Sequence, residues 1–261
     1  MVSKLLEHFI LPNIFPSFAT TENQFGFKAG QFTFLLKQTA SYFVAHGSSV
    51  HAVFLDASKA FYRVLHKKLF YKLIQRKVAN WFVRLLKHWY KEQTMQIKWG
   101  KHFSELFHVS NGVRQGGVLS PHLFAVYLDD LSNELNNIKA GYYTGEVLLN
   151  HLMFADDICV FCPSVRCLQR MPDVCHAYAE SHGIIFICNK TVCMTSKSAK
   201  TTATPLLKLG GQYVKSVYQY KYLGIVLNTE FSYDKDIQTT AISILCSKQA
   251  ASLFFPLFKG S

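Results

Sequence analysis

The sequence lacks the features of a secreted or membrane protein. No charged, apolar and small-residue leader opens the 261-residue chain, and its longest apolar stretches are too short or too interrupted to span a bilayer. Its seven cysteines are odd in number and irregularly spaced, which argues against a disulfide framework and favours free thiols in a reducing compartment. We therefore expect an intracellular protein, in the nucleus or the cytoplasm, without a signal peptide, a transmembrane segment or a membrane partner.

Acidic residues are also scarce, since 16 Asp and Glu stand against 28 Lys and Arg, a formal net charge of +12. The basic residues are spread along the chain instead of being gathered in one tail. This surplus favours a polyanionic partner, and its distribution suits a groove that follows a phosphate backbone. Hydrophobic residues make up 49% of the chain, which is enough for a sizeable core at this length.

The C-x-x-C spacing of Cys159 and Cys162 raises the hypothesis of a zinc site. A structural zinc ion needs four ligands, and no second pair stands at finger-like spacing. The pair also lies beside the apolar run of residues 158–161, which has the composition of a buried strand. We therefore predict a strand here and not a zinc site.

Hydrophobic periodicity predicts helices mixed with short strands. Helices are expected over residues 4–15, over 65–90 as one long amphipathic helix or two in sequence, over 120–136 from a Ser-Pro start, and over 164–182. Pro172 is expected to kink or split the last of these, and Gly183 to end it. Strands are expected at residues 50–55, 95–99, 103–109, 152–154, 158–161, 184–187, 191–194, 206–209 and 220–227. Because the order follows no strict βαβ rhythm, we predict an α+β fold with helices on one face of an antiparallel sheet.

Three carboxylates stand at the tips of apolar strands. Asp56 ends one strand, and Asp156 and Asp157 lie in the turn of a predicted hairpin. Such carboxylates repel one another and are costly to bury, and divalent cations remove that cost. Two Mg²⁺ ions on a few carboxylates can stabilise the attacking and leaving oxygens of an in-line phosphoryl transfer. The pattern therefore indicates a two-metal-ion site, with solvated turn residues as the alternative.

An aspartyl phosphatase also places an Asp directly after an apolar strand. That chemistry needs a second Asp two residues further on as the general acid. The corresponding position here is Ser58, so we rank this hypothesis behind phosphoryl transfer by metal ions.

Several segments, in order along the chain, resemble the motifs of reverse transcriptases of non-LTR (LINE-type) retrotransposons. These are FLDASKAF at residues 54–61, NGVRQGGVLSP at 111–121, FADD at 154–157, the segment 183–191, and YKYLG at 220–224, with QFGFKAG at 24–30 similar to an upstream fingers segment. Five ordered motifs at plausible spacing are far more specific than any single one. The likeness covers roughly residues 4–238, and the chain is expected to be truncated at both ends relative to the family pattern.

The resemblance implies a right-hand polymerase palm with partial fingers. It divides the chain into partial fingers at residues 1–50, a palm with the catalytic motifs and primer grip at 51–238, and a divergent tail at 239–261. The implied activity is that of an RNA-directed DNA polymerase, which transfers deoxynucleotides to a primer 3′-hydroxyl. The implied partners are an RNA template, a DNA primer, deoxynucleoside triphosphates and two Mg²⁺ ions, with Mn²⁺ as an alternative.

The resemblance also implies a role for individual residues. Asp56, Asp156 and Asp157 match the catalytic metal ligands, and Lys190 matches a general acid for the leaving pyrophosphate. The nucleotide-binding positions are Ala57, Phe61, Gln115 and Gly116, with Phe61 as a steric gate against a ribose 2′-hydroxyl. The primer grip corresponds to Tyr222, Leu223 and Gly224.

The sequence departs from the family pattern in two respects. Tyr62 stands where the family usually has a second Asp, and no upstream basic residue matches the one that binds the triphosphate, which leaves Lys59 or Arg114 as candidates. The alternative hypothesis is therefore a catalytically inactive retrotransposon remnant that only binds nucleic acid. Part of the basic side of residues 65–90 is expected to contact template phosphates, with a solvated face as the alternative; its members are Lys67, Lys68, Lys72, Arg76, Lys77, Arg84 and Lys87.

Overall fold

A computed structural model describes residues 2–24, 29–114, 116–196 and 205–229. Its helices are α1 (Val2–Ile14), α2 (Ala29–Ala45), α3 (Ala60–Arg63), α4 (His66–Gln75), α5 (Asn80–Lys91), α6 (Ser120–Asn137) and α7 (Val165–His182), and a 3₁₀ helix (Phe15–Phe18) follows α1. Its strands are β1 (His51–Leu55), β2 (Thr94–Met95), β3 (Lys98–Trp99), β4 (His102–Phe103), β5 (Phe107–His108), β6 (Tyr142–Thr144), β7 (Val147–Leu149), β8 (His151–Phe154), β9 (Asp157–Cys162), β10 (Val192–Thr195), β11 (Lys208–Leu209), β12 (Gln212–Tyr213), β13 (Lys215–Ser216), β14 (Gln219–Tyr222) and β15 (Ile225–Asn228).

A five-stranded sheet in the order β13-β10-β1-β9-β8 forms the centre of the described structure. Its pairs are antiparallel except for β10 and β13, which are parallel. All five residues of β1 are buried, so this strand is covered on both faces and carries a continuous apolar run instead of an alternating one. The predicted mixture of helices with a largely antiparallel sheet is confirmed.

The two faces of the sheet carry separate cores. Side chains of α4, α5, α6 and α7 pack with Val53, Leu55 and Val160 on one face. On the other face, Leu36 of α2 packs with Phe54 and with residues of the hairpin β14–β15. The expectation that helices cover one face only is therefore wrong for α2, because the alternate residues of β1 need an apolar cover on both sides.

The ends of the two longest helices follow from local sequence, as predicted. Pro121 stands in the first turn of α6, where a missing backbone N–H costs nothing. The Ser164 hydroxyl accepts from the Cys167 N–H at the start of α7, and Gly183, at φ +68°, ends that helix. Pro172 does not split α7, which runs unbroken across it and buries the proline ring in the core.

Three other boundaries differ from the sequence interpretation or choose between its alternatives. Residues 65–90 form two helices, α4 and α5, because the chain turns at Lys77 in a left-handed conformation (φ +55°). The predicted strand at 220–227 is instead the hairpin β14–β15, and the predicted strand at 184–187 is reduced to one bridge between Ala57 and Phe186.

Among the described residues, the helices all lack the combination of length and apolar composition that crossing a bilayer requires.

Two of the basic residues expected to contact template phosphates are used inside the fold. Lys72 is buried, pairs with Asp130 of α6 and donates to the Tyr178 hydroxyl at 3.0 Å. Arg76 pairs with Asp129 of α6 and donates to the Ala19 carbonyl at 2.6 Å. The template-contact interpretation is wrong for these two, because the helix that faces them supplies carboxylates.

A buried polar chain joins α6 to β8. The Ser132 hydroxyl lies 2.7 Å from Nε2 of His151, whose Nδ1 lies 2.6 Å from the Asn150 side-chain oxygen. The connectivity resembles a nucleophile, base and orienting group, but all three residues are fully buried and no substrate reaches them. Burial lowers the pKa of His151 to about 3, so the imidazole stays neutral in the folded protein.

This histidine predicts a loss of stability in acid. Above pH 6.5 His151 is neutral in both the folded and the unfolded chain, and its contribution is fully present. As pH falls from 6.5 towards the folded pKa of about 3, only the unfolded chain binds the proton, so the free energy of unfolding falls by up to about 1.4 kcal/mol per pH unit. Urea unfolding between pH 7.5 and 4.5 measures this. The slope should shrink in His151→Gln and persist in the exposed control His88→Gln, and equal slopes in all three proteins would contradict the assignment.

Candidate active site

The structure places the three predicted carboxylates at one end of the sheet. Strand pairing sets Leu55, the last residue of β1, opposite Ile158 of β9, so Asp56 emerges beside Asp157 at the start of β9. Phe154 pairs with Asp157 to close the hairpin β8–β9, which leaves Ala155 and Asp156 as its two turn residues. Strand register therefore brings together residues that are about a hundred positions apart in the sequence.

The hairpin turn contains a residue with a strained backbone conformation. Ala155 has φ +53°, a left-handed conformation that costs a residue with a Cβ roughly 1–3 kcal/mol. Ala155 is also buried, so its methyl group contributes to the core while its backbone directs the following Asp156 outward from the strand. The surrounding sheet maintains this turn, which keeps the acidic pair at the strand tip.

The three carboxylates are short of positive charge. Burial, together with the negative charges of Asp156 and Asp56, raises the pKa of Asp157 to about 6. Burial and the charge of Asp56 also raise the pKa of Asp156. Asp56 thus makes Asp156 and Asp157 harder to ionise, and Asp156 does the same to Asp157, which is the electrostatic setting that a bound cation reverses.

The donor atoms suit Mg²⁺ in type. All three side chains supply carboxylate oxygen, the ligand that this ion prefers, and Mg²⁺ takes its other ligands from water and substrate phosphates. Within the described ranges, however, no three His, Cys, Asp or Glu side chains already stand as a closed metal-ligand set. The three carboxylates are therefore close enough to affect one another's charge but do not already surround a metal position.

A short backbone pairing brings Lys190 to the carboxylates. The Ser58 N–H donates to the Ile185 carbonyl at 2.8 Å, and the Ile187 N–H donates to the Asp56 carbonyl at 2.9 Å. Lys190 follows in the same turn, and its Nζ lies 3.8 Å from Oδ1 of Asp56. Its side chain is 62% exposed, so this pair adds little stability and leaves the ammonium group reachable from solvent.

A cleft of about 410 Å³ opens beside Asp156. Its lining residues are Lys59, Ala60, Phe61, Tyr62, Gly116, Gly117, Ser120, Pro121 and Asp156. Of the predicted nucleotide-binding residues, Phe61 and Gly116 line this cleft, and Ala57 is buried under Asp56 in the bridge to Phe186. Gln115 lies outside the described residues.

Phe61 forms a rigid wall of the cleft. Its ring stacks on Phe124 of α6, with centroids 4.4 Å apart and planes 14° from parallel. Its carbonyl accepts from the Val113 N–H at 2.8 Å, so its backbone is also tied to the loop that leads to Gly116. The ring cannot swing away from a substrate without losing its stacking on α6.

Glu7 supports the opposite wall, a role that the sequence interpretation missed. Its carboxylate accepts from the N–H groups of Val118 and Leu119 at 2.6 and 3.1 Å, directly before α6. A negative charge at a helix start is favourable, because the backbone N–H groups there have no partner in the helix. The only local signal is an acidic residue within the apolar face of α1, and its partner cannot be read from sequence.

The predicted primer grip is a tight turn. Tyr222 is 3% exposed and packs on Phe54, with ring centroids 4.8 Å apart. Leu223 and Gly224, at φ +48° and +82°, form the two-residue turn between β14 and β15, and positive φ at both positions matches the hairpin turn that follows strand twist. The turn therefore presents backbone at the surface, while the Tyr222 ring belongs to the core.

Comparison with known proteins identifies relatives of this chain. The family model described as "Reverse transcriptase (RNA-dependent DNA polymerase)" matches residues 1–227. The chain is 29% identical to the probable RNA-directed DNA polymerase from transposon X-element of Drosophila melanogaster, over 84% of this chain and 24% of that protein. It is 27% identical to the RNA-directed DNA polymerase from mobile element jockey of Drosophila funebris, over 70% of this chain and 20% of that protein.

Solved structures show a similar fold at low sequence identity. Telomerase from Candida tropicalis, in complex with a fragment of telomeric RNA, has a TM-score of 0.62 at 12% identity, covering 90% of this chain and 37% of that one. A form of the same protein without its C-terminal domain has a TM-score of 0.59 and covers 88% of this chain and 43% of the other. The present chain spans about a fifth to a quarter of the length of the curated relatives named above.

Proposed function

Because the chain belongs to the reverse transcriptase (RNA-dependent DNA polymerase) family, as its ordered motifs predicted, we propose that it holds the polymerase site of a retrotransposon RNA-directed DNA polymerase. The reaction is the transfer of a deoxynucleotide to a primer 3′-hydroxyl, with pyrophosphate as the leaving group. The observation that carries this proposal is the set of carboxylates of Asp56, Asp156 and Asp157, which share one end of the sheet beside an open cleft.

Asp56, Asp156 and Asp157 would hold two Mg²⁺ ions, or Mn²⁺ in their place. When bound, these ions supply the positive charge that stabilises the attacking 3′-oxygen and the leaving pyrophosphate. Burial and neighbouring negative charge raise the pKa values of Asp156 and Asp157, and this supports the assignment, because bound cations would neutralise the negative charge of the site. The two strands that carry the carboxylates are buried and paired, so the chain positions these side chains before substrate arrives.

Lys190 is proposed as the proton donor to the leaving pyrophosphate. Its ammonium group stands beside Asp56 and is exposed, so it can approach a phosphate on the solvent side of the carboxylates. A general acid must lie within hydrogen-bond reach of the atom that it protonates, and the turn after Ile187 sets this position for Lys190.

The cleft is proposed as the site of the incoming nucleotide. Phe61 would pack under the sugar and exclude a 2′-hydroxyl, while Gly116 lets the backbone approach the substrate closely. Ala57 and Gln115 complete the proposed nucleotide contacts. The backbone turn at Leu223 and Gly224 would hold the primer strand, with Tyr222 as its buried support.

The proposed division of the chain keeps partial fingers at residues 1–50, the palm at 51–238 and a divergent tail at 239–261. An RNA template and a DNA primer are the proposed nucleic-acid partners. The alternative of a remnant that only binds nucleic acid is not favoured, because all three carboxylates are present at strand ends that the family fold brings together.

Single-nucleotide addition to a DNA primer on an RNA template tests this proposal. Asp156→Asn should lower the rate by at least on the order of a thousandfold, about 4 kcal/mol of transition-state stabilisation, because it removes a charged ligand from the site. The matched control Asp173→Asn changes an exposed carboxylate on α7 and should keep the wild-type rate. Chelation of divalent cations should stop addition by every variant, and full activity of Asp156→Asn would remove the basis of the proposal.

A further inference from the structure

A narrow ribbon between α5 and the cleft loop, residues 94–108, is exposed at every position. Strand β2 pairs with β5, and further out β3 pairs with β4. Met95 pairs with Phe107, and Lys98 pairs with Phe103. Two residues separate Met95 from Lys98 but three separate Phe103 from Phe107, so the second strand has one extra residue between the two pairs. Such a bulge bends and twists a ribbon, which turns its outer part, residues 98–103, away from the inner pair. We call residues 98–103 the ribbon tip.

The ribbon tip presents aromatic rings to solvent. Trp99 is 83% exposed and Phe103 is 60% exposed, although both are large apolar side chains. Phe103 pairs with Lys98 and Trp99 pairs with His102, so the two rings lie on opposite faces of the ribbon tip, each beside a basic side chain. Exposed apolar residues scattered singly are ordinary in folded proteins, but two large exposed rings on so short an element indicate a binding surface. Both rings are carried by paired strands, so binding does not have to order the backbone beneath them.

Cationic groups stand next to these rings. Nζ of Lys98 lies 5.5 Å from the centre of the Phe103 ring, and Trp99 pairs across the strands with His102. Lys101 occupies the turn between the strands, and residues 98–103 contain no acidic side chain. Rings interleaved with cations, on an element without carboxylates, match the requirements of a flexible polyanion that carries planar bases.

Helix α5 extends this positive surface towards the body of the protein. Arg84, Lys87, His88 and Lys91 are exposed and recur at helical spacing, so they lie along one side of the helix. Lys91 ends α5 only three positions before Thr94, the first residue of the ribbon. We call these four side chains the basic stripe; it leads directly into the ribbon.

The other end of the ribbon leads to the cleft. Residues 109–114 connect β5 to the loop that contains Gly116, a distance of no more than about 30 Å even for a fully extended chain. The Val109 N–H donates to the Gln93 carbonyl at 3.0 Å, and the Val113 N–H donates to the Phe61 carbonyl at 2.8 Å, so both ends of this connection are fixed. A strand bound to the ribbon therefore lies within a few nucleotides of the cleft.

We propose that the ribbon tip and the basic stripe form an accessory binding surface for single-stranded nucleic acid. A strand that passes over the ribbon tip stacks one base on Trp99 on one face and another base on Phe103 on the other face, while Lys98, Lys101 and the basic stripe contact phosphates. This surface is separate from the carboxylates, needs neither divalent cations nor nucleotides, and goes beyond the proposed function, since it would hold unpaired strand outside the polymerase site.

Fluorescence anisotropy with a labelled single-stranded oligouridylate RNA, in the presence of a chelator and without nucleotides, tests the proposal. The double variant Trp99→Ala/Phe103→Ala should weaken binding at least about tenfold, because base stacking contributes about 1–3 kcal/mol per base. Lys98→Ala/Lys101→Ala should also lower the slope of log affinity against log salt by about 0.7 for each phosphate that the variant no longer neutralises.

The hairpin β11–β12 offers a matched control, since Nζ of Lys208 lies 4.8 Å from the ring centre of an exposed Tyr213. The variant Lys208→Ala/Tyr213→Ala should bind RNA as the wild type does, and so should Asp156→Asn, whose defect is confined to nucleotide addition. Unchanged RNA affinity after removal of both ribbon rings would overturn the proposal. The proposal would also be overturned if sedimentation showed that the same variant dissociates an oligomer while its RNA affinity stays unchanged. The rings would then serve a protein interface.

Discussion

Replacing Gly112 with Ala should lower the free energy of unfolding by roughly 3 kcal/mol or more and disrupt the cleft. Gly112 has φ +93°, and a Cβ at this position would lie 2.9 Å from both the Cα and the carbonyl oxygen of Tyr62. These are backbone atoms that cannot rotate away. The Gly112 N–H also donates to the Val64 carbonyl at 2.7 Å, so the loop can relieve the clash only by breaking a bond that holds it to the end of α3.

Gly211→Ala is a control that measures the cost of the left-handed backbone conformation without a steric clash. Gly211 has φ +81°, but a Cβ there would meet nothing within 4 Å. The free energy of unfolding of this variant should fall only by the cost of placing an alanine in the left-handed conformation, about 1 kcal/mol. Urea unfolding of the two variants measures the difference, and an equal loss of stability in both would show that the contact with Tyr62 is unimportant.

Replacing Phe61 with Ala should let the enzyme accept ribonucleotides. The ring is fixed against Phe124 and lines the cleft together with Asp156, and in the proposed nucleotide site it would occupy the space that a 2′-hydroxyl needs. Discrimination here rests on exclusion of one small group by a rigid side chain, and its removal should lower the deoxyribose preference by on the order of a hundredfold. The measurement is the ratio of kcat/KM for a deoxynucleotide and its matching ribonucleotide.

Phe61→Tyr is the control for this change, because it keeps the ring and its stacking on Phe124. It should keep the deoxyribose preference, whereas Phe61→Ala loses it. A change in overall rate with an unchanged ratio in Phe61→Ala would instead mean that the ring supports α6 without contacting the sugar.

Local features were predictable where the sequence itself determines them. The strand that ends at Asp56 and the acidic turn at Asp156 follow from apolar runs on either side of carboxylates. The start of α6 at Ser120-Pro121 and the end of α7 at Gly183 follow from backbone preferences of single residues. The motifs typical of the family also stand in the expected order along the chain, so the family could be recognised from the sequence.

Features that depend on pairing between distant segments were not predictable in this way. Lys72 and Arg76 have the spacing of a solvated helix face, and only the carboxylates of α6 opposite them explain their partners. Glu7 contacts residues more than a hundred positions away. In each case the deciding partner comes from tertiary structure.

Template-directed addition by the wild-type protein is the most direct test of polymerase activity at the carboxylate site. A DNA primer is annealed to RNA templates that differ only in the first unpaired base, and each deoxynucleoside triphosphate is supplied singly with Mg²⁺. The proposed function predicts addition of the complementary deoxynucleotide alone, with release of pyrophosphate and loss of the reaction on chelation. Folded protein that adds no nucleotide, or adds any nucleotide regardless of the template base, would contradict it.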